Sequence, residues 1–108
     1  ERAVRNLETL AQLDVDLALV ELERARQQID ASRVRAELQQ RVVEAERARL
    51  EVGDGTALLL AQADNALLQA RIAEVEAQTA YRIALVRLYA AEGSLLERRG
   101  VQLGADAD

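Results

Sequence analysis

The sequence predicts an all-α fold, a long antiparallel two-helix hairpin of coiled-coil type. Three observations carry this. The chain has no proline, and residues 1–52 and 56–92 contain no glycine either. A short glycine-bearing segment, Val52-Gly53-Asp54-Gly55-Thr56, separates the two blocks. In the second block alanine recurs every seven residues.

The first helix is expected over about residues 2–52. This block is rich in Ala, Leu, Glu, Gln and Arg, residues that lose little side-chain freedom in a helix, and nothing in it breaks the backbone pattern. Ala11, Ala18, Ala25 and Ser32 alternate with Val15, Leu22, Ile29 and Ala36 at spacings of three and four. That is a packing seam with a period of 3.5 residues.

The turn is expected at 53–55. Gly53 can take the left-handed conformation that ends a helix, and Asp54 or Thr56 can cap the amides of the next one. So short a connection forces neighbouring helices to run antiparallel.

The second helix is expected over about 56–97, and its seam is the sharpest signal in the chain. Ala63, Ala70, Ala77, Ala84 and Ala91 interleave with Leu60, Leu67, Tyr81, Leu88 and Leu95, broken only by Glu74. Small side chains on both partners predict an approach closer than the usual spacing of about 8–10 Å. Glu74 either pairs with an arginine of a neighbouring helix or faces solvent. Residues 98–108 lack a helical period and are expected to form a flexible tail.

Each helix carries apolar residues beyond its seam. In the second helix these are Leu58, Ala61, Leu68, Ile72, Val75, Ile83, Val86 and Ala90. In the first they include Leu7, Leu10, Leu13, Leu17, Val20, Val34, Leu38 and Val42. One partner cannot cover two stripes. Ordering a residue costs about 1.5 kcal/mol, and an alanine seam buries little area to offset it. Further helices, from other copies or from other parts of a longer chain, are therefore expected to cover the second stripe. The charges agree: residues 56–97 hold eight charged side chains against twenty in residues 1–52, so the second helix is the more enclosed.

Composition excludes several classes of function. Without histidine or cysteine the chain lacks the commonest general base, the commonest metal ligand and any thiol. The carboxylate pairs Asp14/Asp16, Glu21/Glu23 and Glu74/Glu76 diverge, because positions two apart lie about 200° around a helix. No metal, cofactor or enzyme activity is expected. A net charge of −5 with arginines interspersed among acids does not make the basic stripe of a nucleic-acid binder. The longest apolar run, Ala57–Ala61, and shorter ones such as Leu17–Val20 fall far short of the roughly 20 residues that span a bilayer. The chain opens at Glu1, with no Met and no charged-then-apolar leader, which is the expectation for an excised or processed segment.

The turn and its flanks resemble the signature of TolC-like outer-membrane efflux proteins. In that family an arginine-aromatic pair is followed, after two residues, by glycine. A threonine or serine then comes three residues on, an alanine ten past the glycine, and a leucine four later. Here Arg49-Leu50 leads to Gly53, Thr56, Ala63 and Leu67, with Leu50 in the aromatic position. The stretch from Ala80 to Leu96, with Tyr81, Leu88, Tyr89 and Ala91-Glu92-Gly93, is similar to the close of the family's second repeat. The resemblance covers about residues 40–96.

It implies a homotrimer whose hairpins build a periplasmic α-barrel beneath an outer-membrane β-barrel. The hairpin tips there meet a periplasmic adaptor protein and, through it, an inner-membrane pump. The chain would be one such periplasmic hairpin, and would not itself span the membrane. The implied contact site is the tip, Val52, Gly53, Asp54, Gly55 and Thr56. The implied wall-packing seam is Ala63, Leu67, Ala70, Ala77, Tyr81, Ala84, Leu88 and Ala91. Gly55 stands where some members carry an arginine that helps close the pore, so no closing role is carried over. Periplasmic adaptors also use long hairpins, but their tips carry Arg-Leu, three residues, then Leu, and here Asp54 occupies that last place. A generic coiled-coil module is the remaining alternative.

Overall fold

The computed structural model describes residues 2–107. Side chains at 101–103 and 105–107 lie outside the described set, and the flexible tail expected over 98–108 falls partly there. Two helices account for the fold: α1, Arg2–Glu51, and α2, Ala57–Ala107, joined by a tight turn. No strand occurs among the described residues. The fold class is an all-α antiparallel hairpin.

α2 runs past the residue-97 boundary expected from the sequence. The physical reason is that only glycine interrupts its last stretch. A glycine inside a helix costs about 1 kcal/mol relative to alanine, whereas proline costs about 3. Gly100 and Gly104 therefore thin the helix without ending it.

By contact the chain divides into two compact units, each with a piece of both helices. The first comprises Glu1–Ala25 and Ala80–Asp108. Its core is Ala11, Val15, Ala18, Leu88 and Leu95, with Leu22 and Ala91 packed against it. Polar contacts cross between the helices here. Arg98 Nη1 donates to the Leu7 carbonyl at 3.0 Å, and Arg87 Nη1 lies 3.8 Å from Glu21 Oε2.

The second unit, Arg26–Thr79, contains the turn. Ser32, Ala36 and Val43 of α1 and Ala63, Ala70 and Ala77 of α2 are buried in it. Ser32 keeps its hydroxyl satisfied inside its own helix by donating to the Ile29 carbonyl at 2.9 Å, so it adds no unpaired polar group to the seam. Val43 and half-buried Glu46 continue the α1 seam beyond Ala36, the last seam residue expected. The signal was available: 29, 36, 43 and 32, 39, 46 carry on the same seven-residue columns.

Candidate docking tip and the apolar flanks

The turn is built by glycine chemistry at one position and by space at another. Gly53 has φ +78°, in the left-handed region that an L side chain enters only with strain. Its amide donates to the Leu50 carbonyl at 3.1 Å, and the next amide, Asp54, donates to the Arg49 carbonyl at 2.9 Å. These two reversed bonds are the Schellman arrangement, which satisfies carbonyls that α1 leaves unpaired at its end.

Gly55 is needed because the chain passes tightly over α1. A Cβ there would sit 3.0 Å from the Arg49 Cβ, 3.1 Å from the Leu50 nitrogen and 3.2 Å from the Arg49 carbonyl carbon. Two of those three atoms are backbone and cannot swing aside.

The cap of α2 is Thr56. Its hydroxyl oxygen accepts from the Leu59 amide at 3.1 Å, three residues on, while its carbonyl receives the Leu60 amide at 3.2 Å. Of the two capping residues expected, Thr56 takes the role, because it is the residue directly before Ala57, where α2 begins.

The tip therefore presents exposed Val52, Gly53, Asp54 and Thr56, with Gly55 half-buried. Val52 is 78% exposed, and beside the turn Leu58 is 66% exposed. Asp54 is exposed as well, and no group of metal-ligating side chains occurs among the described residues.

Of the expected seam residues, Ala63, Ala70, Ala77, Ala84 and Leu88 are buried, and Leu67, Tyr81 and Ala91 are half-buried. Glu74, in the same column, has a side chain only 16% exposed. It takes the paired alternative: Arg71 Nη1 stands 3.4 Å from Oε2 and Arg33 Nε of α1 stands 4.0 Å from Oε1. Arg33 was not legible as its partner, since that requires the register of the two helices. Closer to the turn, Glu46 Oε1 lies 3.6 Å from Arg49 Nη1, and its other oxygen is buried without a hydrogen bond.

The outer stripes lie in water. Leu10, Leu13, Leu17 and Val20 of α1 are each about half exposed or more, and so are Leu58, Leu68, Val75 and Val86 of α2. Each outer stripe stands two positions from a seam column, which places it about 200° around the helix, nearly opposite the seam. Between seam and stripe on α1 runs a polar column, Asp16, Glu23, Asp30, Glu37, Glu44 and Glu51, every seventh residue and exposed throughout. No helix among the described residues is long and apolar enough to cross a membrane.

A family model described as "Outer membrane efflux protein" matches residues 2–94. No curated protein and no solved structure matches the chain.

Proposed function

The chain belongs to the outer membrane efflux protein family, a family of transport components and not of enzymes, and on that premise we propose that it forms part of the wall of a periplasmic tunnel and offers its turn to a periplasmic adaptor protein. The observation that carries the wall is the pair of opposed apolar faces on each helix. A helix in a compact bundle buries adjoining faces against a shared core. A helix with apolar stripes on opposite sides instead takes one neighbour to the left and one to the right, as in a single layer. The polar column between the stripes then faces water on the surface of that layer. A single layer of helices that curves and closes is a tube.

The tip reading rests on exposed Val52 and Leu58 around a turn whose glycines keep it narrow. The adaptor links the channel to an inner-membrane pump, and the complete channel is a homotrimer, placing this hairpin in the periplasm as part of an outer-membrane protein. The adaptor hairpin and the generic coiled coil both have the family match against them.

The test is photo-crosslinking in the full-length channel, with a benzophenone side chain in place of Val52 and, separately, of exposed Glu37 on the polar column. With adaptor and pump present, position 52 is expected to capture the adaptor and position 37 is not. Capture by position 52 of channel subunits alone would end the docking reading. The wall reading would survive that result, since it stands on the stripes.

A further inference from the structure

We propose that charge selects which faces of α1 and α2 close on each other: Arg24 and Arg82 block pairing of the leucine faces, and Arg33 with Glu74 supports pairing of the alanine faces. The inference stands on the two-helix geometry and does not depend on the efflux reading.

Each helix offers two faces that could serve as the seam. The leucine faces hold the larger side chains and would remove more apolar area from water, yet they are the exposed ones, with Leu17 at 61% and Val86 at 66%. The buried faces are the alanine faces. Apolar burial within the hairpin does not explain this choice, so a second term must.

The turn sets the level of one helix against the other, and the crossing contacts report it. In the first unit Arg98 reaches Leu7 and Arg87 reaches Glu21. On this level Ala18 stands beside Leu88 and Arg24 beside Arg82. Arg24 and Arg82 both lie in the leucine columns and are exposed in the observed pairing. Turning both helices half a revolution about their axes keeps the level and brings the leucine faces together. The two guanidiniums would then meet in the closed seam, with like charges facing each other as water is withdrawn.

In the second unit the alanine face carries Glu74, which is mostly buried and meets Arg33 across the seam. The same half-turn would separate that pair. One pairing thus gains a cross-helix ion pair and the other gains a repulsion, the combination that discriminates between alternative apolar faces. The leucine faces are thereby left for neighbours.

Disulfide trapping tests this in the 108-residue chain, which has no cysteine of its own. In the first unit, Ala18→Cys with Leu88→Cys reports alanine pairing and Val20→Cys with Val86→Cys reports leucine pairing. In the second unit, Ala36→Cys with Ala70→Cys and Leu38→Cys with Leu68→Cys do the same. Each pair is oxidised at high dilution and its intramolecular bridge quantified by mass. In the native background the alanine-face bridges are expected to dominate.

Arg24→Glu turns the repulsion into attraction and is expected to cut that dominance in the first unit by about tenfold. Adding Arg82→Glu restores the repulsion and should restore the dominance. Arg33→Glu is expected to act likewise on the second unit. All three arginines are exposed, so the substitutions leave the buried residues in place. Unchanged ratios in Arg24→Glu and Arg33→Glu, or dominant leucine-face bridges in the native background, overturn the proposal.

Discussion

At the scale of single residues, two glycines in one turn answer to different constraints, and substitution should separate them. Gly53→Ala meets no atom but must hold a left-handed backbone, at a cost of about 1–2 kcal/mol. Gly55→Ala keeps ordinary dihedrals but drives a methyl into the Arg49 and Leu50 backbone. Both are expected to lower the thermal midpoint read by circular dichroism. Gly53→Asn should recover part of the loss, because asparagine tolerates that conformation. Gly55→Asn should be worse than Gly55→Ala, because the obstacle there is bulk. Equal responses at the two positions would contradict the distinct roles. Glycine spacing pointed to the turn from the sequence alone. It could not show which glycine is needed for its dihedral and which for its lack of a side chain, since the second depends on how closely the returning chain crosses α1. The cap was ambiguous too, because Asp54 and Thr56 are both good capping residues and the choice depends on which of them directly precedes the first turn of α2.

Helix by helix, the sequence was most readable where period and residue size agreed. Alanine every seven residues on α2 can serve only one close neighbour, so both the hairpin and its seam columns follow from spacing. The far end of α2 was not readable in this way: a terminus is marked by absent periodicity, and glycine alone does not enforce one. Val43 lies in the seam columns of α1 and is the largest fully buried side chain among the described residues. Val43→Ala removes two methyl groups from a site 1% exposed, which is expected to cost about 2 kcal/mol. Its neighbour Val42 is 44% exposed, and Val42→Ala is expected to change stability by no more than about 0.5 kcal/mol. A comparison of urea midpoints checks both. Similar losses at 42 and 43 would mean the helix is rotated from the orientation described.

For the molecule as a whole, apolar residues left in water set its behaviour in solution. Both helices leave a row of leucine and valine side chains about half exposed or more, and contiguous apolar surface of this kind favours association. The chain is expected to self-associate at micromolar concentration in analytical ultracentrifugation. Leu13→Gln with Leu17→Gln, both exposed and about half or more accessible, should weaken association by at least about tenfold while leaving helicity unchanged. A stable monomer at that concentration would show that the outer faces are content in water. That each helix carries a second apolar stripe was legible in the sequence, and those residues are exposed in the hairpin. What covers that stripe was not legible, because a stripe of leucine and valine accepts any complementary helix.

The tight turn also bears on how the chain would meet a protease. Cleavage requires several residues to straighten and thread through a catalytic cleft. Between Glu51 and Ala57 the peptide is held bent by the amides of Gly53 and Asp54, and on either side the backbone is coiled into helix. The bend has too little slack to be drawn out unless the end of a helix unwinds first. Nicking at this point would therefore report local melting, and the hairpin should outlast looser connections under brief digestion.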